Sequence, residues 1–539
     1  MNKTRRVAWF IGSTVLLCAL LGGVYGQRVE ATAAHSDDAD VQASYDAFTK
    51  VFNAVEQNYA DPVDPDKAIF GPPSTNLGAI PGMLRTLDPH SNFFDPRAYA
   101  QLREDQEGKY YGVGMSIQGR PGKLGKMVTI VLLPMPGSPA FRAGLRPGDV
   151  IIKVNGKSTE DLNTTQVAEM LKGPRGTLAQ VTITREGCDE PLEFSITRDE
   201  IARKSVDASF TLRPGIGYVH IASFNENTSD ELEAALGKLD EESLQGLILD
   251  FRGNPGGLLQ EAVEVSEHFV DKNQLIVYHH GRQSREKRYY ATRGSKGTNY
   301  PIVVLINRLT ASAAEIVTGA MQDHDRALVM GESSFGKGLV QTVYPLSEKS
   351  GLALTTARYY TPSGRLIQRS YSDVSLYDYY YHPTNNSNAH NEVRLTDGGR
   401  EVYGGGGIDP DIRVPDPKLT PTQETLAQRG AFFNFGKFYL AGHKTIARDF
   451  EVNDEVLSEF KRFLDKEKIQ VSDQDFEANL DFIKKRIHLQ LVTVIFGEQE
   501  ASRLSVENDE LVQKALEHLP QARELLARAK KFMASKTVR

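Results

Sequence analysis

The 539-residue chain has only two cysteines. Cys18 lies in an apolar N-terminal run, so the body that follows contains Cys188 alone. One thiol can neither close an internal disulfide nor build a cysteine-rich zinc site. Cys188 also has no neighbouring histidine or helix start in the sequence to activate it, which argues against a nucleophilic thiol.

An excess of positive charge is also absent. The 63 Lys and Arg against 70 Asp and Glu give a net charge of −7, which argues against a general nucleic-acid-binding protein. The content of 40% hydrophobic and 25% charged residues is that of a soluble globular protein. Collagen-like, low-complexity and multi-spanning membrane classes are excluded, and no fixed-period repeat is present. At roughly 150 residues per domain the length allows three or four domains.

The N-terminus has the pattern of an export signal. Lys3, Arg5 and Arg6 precede an uncharged stretch from Val7 to Gly26, as in a secretory signal. About 20 residues are also enough to span a bilayer as one helix, so a cleaved signal and a retained membrane anchor remain alternatives. No later window is apolar enough to span. We expect the protein in the cell envelope or periplasm, secreted or anchored by this segment.

Changes in composition divide the chain into six segments. Apolar residues at helical spacing in the third segment predict a helix with one apolar face. The segments are a signal peptide or anchor (1–26), a linker (27–42), an N-terminal helical region (43–107), a β-rich domain (108–198), an α/β region (199–415) and a helical C-terminal region (416–539).

The β-rich segment resembles a PDZ domain. β-rich runs at 128–132 and 179–184 enclose a small helix, a Gly-Leu turn at Gly144 and the strand Gly148–Ile151, which is the PDZ order. In such a domain the N–H groups of a glycine turn hold a terminal carboxylate, and the next strand edge pairs with an extended peptide. A glycine turn without a ligand is the alternative. The resemblance assigns the carboxylate-binding loop to Tyr111, Gly112, Val113, Gly114 and Met115.

The α/β region contains three short apolar runs of buried-strand type, Gly217–Ile221, Gly246–Asp250 and Ile302–Ile306. Helical patterns follow the last two runs, which predicts a mixed α/β layer. After the third run comes a polar turn in which Ser312, among small residues, opens a helix. Helix-start N–H groups would face whatever that hydroxyl attacks, although a serine at this position is more often a simple N-cap.

Gly331–Gln341 contains seven of the eight positions of a phosphate-binding loop. Gly338 replaces the hydroxyl that would ligate Mg²⁺. The residues after the glycines also have a strand pattern, where a phosphate loop requires a helix. Nucleotide binding is therefore disfavoured.

A catalytic interpretation joins Ser312 to Lys337. A serine hydroxyl needs a base, and a lysine can act as one if burial keeps it neutral. Gln341 is placed to orient the amine by a hydrogen bond. The oxyanion of a tetrahedral intermediate needs N–H donors, for which the candidates are the amide of Ala313 and one amide of the turn Asn254–Gly257.

With these residues the chain resembles the carboxy-terminal processing peptidases, also called tail-specific proteases. The resemblance spans roughly residues 45–415, and its pieces come in family order: Leu87–Ser91, the PDZ segment, Asp250–Gly257, Thr310–Ala313, Gly331–Gln341, Tyr360–Arg365 and Gly405–Asp411. It implies a crotonase/ClpP-like mixed α/β core with an inserted PDZ domain, an N-terminal helical region and a C-terminal helical tail.

The resemblance also assigns roles to individual residues. Ser312 is the nucleophile, Lys337 the general base and Gln341 its support. The oxyanion hole takes Ala313 and one of two glycines, Gly257 being preferred over Gly256. The implied activity is that of an exported serine endopeptidase that captures C-terminal tails, with no metal and no cofactor.

Other features remain open in the sequence. Asp250 and Arg252 are expected to form a structural ion pair. The run Leu87–Ser91 suggests a turn and a capped helix start, in which His90 is expected to have a structural role. The excursion over 370–401, which includes Tyr377, Tyr379, Tyr380 and Tyr381, is either a recognition surface or a packed loop.

The expected partners are protein or peptide substrates with exposed C-terminal tails. An activating adaptor and a homo-oligomer through the C-terminal helices are further candidates, and nucleic acid is not expected. The rival function is a non-catalytic PDZ scaffold or adaptor on a degenerate protease fold.

Overall fold

The computed structural model describes residues 38–71, 77–121, 126–295, 299–346, 349–372, 374–381, 392–443, 445–447 and 450–537. The chain divides into two compact units, residues 1–83 and 84–539. The expected signal or anchor over 1–26 lies outside the described residues, as does most of the linker. Of the helices that the structure describes, none is long and apolar enough to cross a membrane.

The first unit contains α1 (Asp38–Asn58), α2 (Pro65–Phe70) and the start of α3 (Ala79–Arg85). Most of the apolar face predicted from the sequence lies on α1, where it is largely exposed: Phe48 and Val51 are 50% and 64% exposed.

The second unit begins with a turn that the sequence pattern misassigned. Asp88 Oδ1 accepts hydrogen bonds from the N–H groups of His90 and Ser91, both at 2.7 Å, but the expected helix start there is wrong. A short strand follows, β1 (Asn92–Phe94), and it pairs with Gly351–Ala353 far along the chain. Pairing with this distant strand, which no local pattern reveals, fixes the extended conformation. The helix α4 (Pro96–Glu107) begins later.

The β-rich domain is an insertion closed at its base. The chain enters through β2 and leaves through β9, and these two strands pair antiparallel. Between them the sheet order is β3-β4-β5-β7-β8, with β6 paired to β5. The strands are β2 (Lys109–Gly112), β3 (Met115–Pro121), β4 (Met127–Pro134), β5 (Val150–Val154), β6 (Lys157–Ser158), β7 (Leu178–Thr184), β8 (Leu192–Thr197) and β9 (Asp199–Ala202), and the helices α5 (Pro139–Ala143) and α6 (Thr164–Leu171).

A six-stranded sheet forms the centre of the unit. Its strands are β10 (Val206–Arg213), β11 (Ile216–Ile221), β12 (Gly246–Asp250), β15 (Ile302–Ile306), β16 (Leu328–Gly331) and β21 (Ile412–Arg413), paired in this order and parallel after the first pair. Every residue of β12 and β15 is buried, as expected for parallel strands covered on both faces. The connecting helices are α7 (Thr228–Lys238), a 3₁₀ turn (Glu241–Ser243), α8 (Leu259–Glu267) and α9 (Ala313–Asp323).

A second sheet, which is antiparallel, contains five strands of this unit. In it β18 pairs with β1, β13 and β17. Its strands are β13 (Leu275–His280), β14 (Lys287–Tyr290), β17 (Leu339–Pro345) and β18 (Gly351–Tyr360), followed by α10 (Leu376–Tyr381) and the hairpin β19 (Val393–Leu395) and β20 (Glu401–Tyr403).

The C-terminal region is helical. Its first six helices contribute to a separate core, and the last helix packs its apolar residues against the central sheet. The helices are α11 (Pro421–Gln428), α12 (Ala431–His443), α13 (Asp454–Lys466), α14 (Asp473–Ala478), α15 (Leu480–Phe496), α16 (Glu498–Glu507) and α17 (Glu510–Thr537). At α12 this region meets the inserted domain: the Arg120 guanidinium of β3 lies 4.4 Å from the Phe433 ring centroid and 3.1 Å from Asn434 Oδ1.

A fully buried ion pair ties α9 to the turn after β18. Arg365 is 0% exposed, and its Nη2 donates to Asp323 Oδ1 and Gln322 Oε1, both at 2.8 Å. The other carboxylate oxygen of Asp323 accepts from the N–H of Ser363 at 2.9 Å. An arginine at this depth depends on its partner, because an unpaired buried charge is costly.

We predict that Asp323→Ala destabilises the core by about 3–5 kcal/mol, because it leaves the Arg365 guanidinium buried without a counter-charge. Thermal unfolding measures the loss as a lower midpoint. The matched control is Glu524→Ala on α17, whose ion pair with Arg528 is 73–75% exposed and is expected to contribute less than about 1 kcal/mol. Equal midpoints for the two variants would contradict the prediction.

Candidate active site

Ser312 lies where the turn after β15 enters α9. The turn is held against the neighbouring loop, because the Thr310 hydroxyl donates to Phe251 O at 2.9 Å and the Ala311 N–H donates to Asn254 O at 2.9 Å. The serine has φ 54° and ψ −115°, a combination rare for a residue with a side chain. Such strain costs on the order of 1–3 kcal/mol and persists only where the surroundings hold it.

The Glu315 carboxylate, 0% exposed, connects the serine to the lysine loop. Its Oε2 accepts from the N–H of Ser312 at 2.7 Å and of Lys337 at 2.9 Å. Its Oε1 accepts from the Ser334 hydroxyl at 2.5 Å and the Gly336 N–H at 2.7 Å. Burial raises the pKa of Glu315 and these hydrogen bonds oppose the rise. One carboxylate therefore fixes the backbone of both the helix start and the lysine loop.

Lys337 is largely desolvated. Burial lowers the pKa of its amine below the usual 10.5, while Glu315 and Asp88 act in the opposite direction. Its Nζ donates to Gln341 Oε1 at 2.8 Å, and Gln341 Nε2 donates in turn to the carbonyl oxygen of His90. The amine is thus held at a defined place, and a larger share of it is neutral than in water.

Tyr359 bridges the backbones of Ser312 and Lys337. Its hydroxyl is within hydrogen-bond reach of the carbonyl oxygens of Ser312, at 3.1 Å, and of Lys337. The side chain is 1% exposed, and burial raises the pKa of its hydroxyl. The single hydrogen of the protonated phenol is shared between these two carbonyl oxygens, which holds the serine and lysine segments side by side.

Two backbone segments supply candidate oxyanion donors. A Cβ added at Gly256 would lie 2.7 Å from Ser312 Cβ and 2.8 Å from Ala313 N, so the glycine turn lies directly against the serine. The Gly256 N–H donates to Asn254 Oδ1 at 2.8 Å. Gly256 O accepts from the Phe224 N–H and the Leu258 N–H donates to Phe224 O, so Gly257 forms a parallel bridge with Phe224. In a parallel bridge the central residue of the three does not bond to this partner, so the Gly257 N–H points away from Phe224.

One cavity of about 580 Å³ contains these groups. Ser312, Lys337 and Gln341 line it together with Ala313. The two glycines line it as well, so the cavity brings together all six residues that the sequence analysis assigned to the chemistry. Its apolar wall is formed by Phe224, Leu259, Ile316, Leu339 and Val340.

The five residues assigned to a carboxylate-binding loop lie elsewhere, in the inserted domain. Tyr111 and Gly112 end β2, and Met115 begins β3, which is the terminal strand of its sheet. Gly114 has φ 75°, a left-handed conformation that favours glycine. Val113 O accepts from the Ala140 N–H at 2.8 Å, which binds the loop to α5.

Other candidates have structural surroundings. Arg252 Nη2 lies 2.6 Å from Asp250 Oδ2, and its Nη1 lies 2.9 Å from Asp509, so the expected ion pair is present and extends to the residue before α17. Strand β17 follows the glycine loop, where a phosphate loop would need a helix. Cys188 is an exposed free thiol. In the part of the chain that the structure describes, no group of three His, Cys, Asp or Glu side chains is arranged to hold a metal ion.

Sequence reasoning missed Glu315, Tyr359 and the side chain of Asn254. Glu315 had a local signal, since a serine followed three residues later by a glutamate is the capping-box pattern. Tyr359 had none, because its contacts come from segments 22 and 47 residues away.

Comparisons with known sequences match three parts of the chain to family models. Residues 215–374 match the family model of Peptidase family S41, and residues 130–185 match that of the PDZ domain. Residues 422–473 match the model described as "Probable PDZ-protease, C-terminal helical domain".

Two curated relatives align with this chain over most of their own length. A carboxy-terminal-processing protease of Bartonella bacilliformis is 36% identical over 368 residues, which are 68% of this chain and 80% of the relative. The carboxy-terminal processing protease CtpB of Bacillus subtilis is 33% identical over 346 residues, 64% of this chain and 69% of the relative.

Two solved structures are also similar. The photosystem II D1 C-terminal processing protease is 31% identical, with 70% of this chain and 93% of that chain covered and a TM-score of 0.35. The PDZ domain of the carboxy-terminal protease of Vibrio cholerae, in complex with peptide, is 27% identical over 17% of this chain and 97% of its own, with a TM-score of 0.16.

We predict that Glu315→Gln loosens the helix start and the lysine loop together. Each carboxylate oxygen of Glu315 accepts two hydrogen bonds, and the change replaces one of these oxygens by an NH₂ group, so two of the four donors lose their acceptor. Each buried donor left unpaired costs about 1–3 kcal/mol. Hydrogen exchange is the measurement: the amides that face the new NH₂ group, which are either Ser312 and Lys337 or Gly336, should exchange faster. The exposed Glu517→Gln on α17 is the control, and protection equal to wild type at all three amides would contradict the role given to the carboxylate.

Proposed function

The chain belongs to the carboxy-terminal-processing serine proteases of peptidase family S41, and we propose that it is an exported endopeptidase with a catalytic dyad of Ser312 and Lys337. The observation that carries this proposal is the shared cavity, in which the serine lies with a desolvated lysine held by Gln341. Desolvation supplies the neutral amine that a serine nucleophile needs as its base.

The proposed reaction uses the residues of this cavity. Ser312 Oγ attacks the peptide carbonyl carbon while Lys337 Nζ takes the hydroxyl proton. The ammonium then gives this proton to the leaving amine, so that the C–N bond breaks and an acyl ester remains on Ser312. A water molecule, deprotonated by the same Nζ, attacks the ester, and the returning proton restores Ser312 and releases the carboxylic acid.

The oxyanion formed in both steps needs two donors. We assign them to the amides of Ala313 and Gly257. The N–H of Ala313 is the first of α9, and the first N–H groups of a helix have no partner within it. Gly257 is preferred over Gly256 because the Gly256 N–H already donates to Asn254 Oδ1.

Substrate capture is proposed for the inserted PDZ domain. The loop from Tyr111 to Met115 would take the terminal carboxylate, and the edge of β3 would pair with the tail. The cavity beside Ser312 has an apolar wall that includes Ile316 and Val340, which favours an apolar substrate side chain at the cleaved bond.

Export remains a proposal that rests on the sequence of residues 1–26. The positive start and the apolar run would direct the chain out of the cytoplasm. Fractionation of cells, with sequencing of the mature N-terminus, distinguishes a cleaved signal from a retained anchor.

We predict that Ser312→Ala and Lys337→Met each lower kcat/KM on an unfolded protein with an apolar C-terminus by roughly 10³-fold or more. Lys238→Met, at an exposed lysine of α7, is the control and should be as active as wild type. Because the base works as the neutral amine, wild-type kcat/KM should rise with pH through the pKa of Lys337, which burial lowers from the usual 10.5. The assay includes a chelator and no nucleotide.

The other outcomes are informative. Equal cleavage by wild type and both variants would overturn the dyad. Absence of cleavage by every form, with tail binding intact, would favour a PDZ scaffold or an enzyme that waits for an activator.

A second prediction concerns the tail. Amidation of the substrate C-terminus removes the carboxylate that the PDZ loop would hold, so KM should rise about tenfold, the value of one charge-assisted contact of 1.4 kcal/mol, with kcat unchanged. The same peptide with a free carboxylate is the matched control. Equal KM values for the two peptides would show that the loop does not capture the terminus.

A further inference from the structure

A chain of hydrogen bonds leads from Lys337 to the far side of His90. Lys337 Nζ donates to Gln341 Oε1 at 2.8 Å, and Gln341 Nε2 donates to the carbonyl oxygen of His90. On the other side of the same histidine, ring atom Nε2 lies 3.0 Å from the hydroxyl oxygen of Tyr379. The residue that holds the glutamine is therefore itself held through its ring.

The chain of bonds returns to the lysine loop. Gln368 Nε2 lies 3.2 Å from the Tyr379 hydroxyl oxygen, and Gln368 Oε1 accepts from the N–H of Gly338 at 2.8 Å. Because Gly338 follows Lys337 directly, these contacts close a ring. Within it Tyr379 is the only member of α10.

The donors in this ring can be ordered. The Gly338 N–H requires the oxygen of the Gln368 amide, so the two hydrogens of its NH₂ group are donated to Arg369 O at 2.7 Å and to the Tyr379 hydroxyl oxygen. The phenol then has its own hydrogen left for His90 Nε2. His90 is consequently neutral, with its hydrogen on Nδ1, in agreement with burial that lowers the pKa of this histidine to about 4.

Tyr379 is itself firmly held. It is 3% exposed, and its ring packs edge-on against His90 and Phe335, with centroids 5.6 and 5.5 Å apart. The Arg369 guanidinium lies 4.7 Å from the ring centroid and donates to Tyr379 O at 2.6 Å. Burial raises the pKa of the phenol to about 12, so its hydrogen is retained at neutral pH.

We propose that Tyr379 is a positioning residue for the base, acting through His90 and Gln341 to orient the amine of Lys337. Tyr379 touches neither the amine nor the cavity around Ser312. It lies beyond residue 374, where the match to the S41 family model ends. The residue that positions the base is therefore supplied by the excursion over 370–401. The proposal rests on the proposed function, because it needs Lys337 to be the base.

The first test compares Tyr379→Phe with Tyr381→Phe. The first change removes only the hydroxyl that donates to His90; the second removes the hydroxyl of a tyrosine on the same helix that is 66% exposed. With the amine less well oriented and more accessible to water, Tyr379→Phe should lower kcat about tenfold, a part of the 10²–10⁴-fold effect of a general base, with KM unchanged. Tyr381→Phe should equal wild type.

The pH profile separates orientation of the base from general stability. The charged groups that act on Lys337 and His90, namely Glu315, Asp88 and Arg369, are unaltered in Tyr379→Phe. Better hydration of Nζ should therefore move the rise of kcat/KM to higher pH. A wild-type rate together with a wild-type profile would overturn the proposal.

A double-mutant cycle tests the route. If Tyr379 acts through the glutamine, Tyr379→Phe should cost less than about twofold in a Gln341→Ala background, since residues in one network are not additive. A full tenfold further loss would overturn the proposal.

A second variant protects the test against misfolding. His90→Leu removes the ring nitrogen that accepts from the Tyr379 hydroxyl and keeps the backbone carbonyl that binds Gln341, and it changes no charge because the histidine is neutral. The profile should shift in the same direction, and an unchanged profile would overturn the proposal even if Tyr379→Phe fails to fold.

Ser312→Ala distinguishes the two levels of inference. If wild type and Ser312→Ala cleave equally, the proposed function fails. If only Ser312→Ala is inactive and Tyr379→Phe equals wild type, the dyad stands and the positioning role fails.

Discussion

The buried carboxylate of Glu315 is the constraint on which the candidate site depends. It sits in the first turn of α9 and accepts four hydrogen bonds, from Ser312, Ser334, Gly336 and Lys337. A carboxylate with no access to water is stable only when its oxygens are paired in this way. The need to pair it therefore imposes the close approach of the serine turn and the lysine loop, and it helps to hold the strained backbone of Ser312.

The chemistry follows from this approach because it places Lys337 where its amine is largely desolvated. A buried amine favours its neutral form, and the same burial requires a partner for its donors, which Gln341 provides. Tyr359 restrains the two backbones from the other side. Three contributions with different physical origins, a paired carboxylate, a desolvated amine and a buried phenol, thus converge on one serine.

The inserted domain and the C-terminal helices are connected to this centre through the fold. The insertion closes at β2 and β9, and its terminal strand β3 contacts α12 through Arg120 and Phe433. On the other face of the central sheet, α17 covers the strands. The helical region thus forms part of the core's support and also touches the strand proposed to receive a substrate tail.

The sequence by itself determined the fold class, the family and the residues brought together in the cavity, because strand patterns, glycine turns and helix starts are local signals and the family's pieces come in order. It also predicted that Asp250 and Arg252 would pair, two residues apart on one turn. By contrast, it misassigned the turn at His90 as a helix start, since the strand that follows pairs with residues more than 250 positions away.

Only the tertiary structure decided which groups hold the site. Glu315 accepts from a loop some 20 residues further along the chain, Tyr359 reaches two carbonyls, and Tyr379 meets His90 across 289 positions. The sequence left the role of the tyrosine-rich excursion open. In the structure Tyr379 is buried beside the lysine loop, whereas Tyr377 and Tyr381 are exposed. Burial and hydrogen bonding are properties of groups brought together by folding, and no pattern along the chain contains their distances.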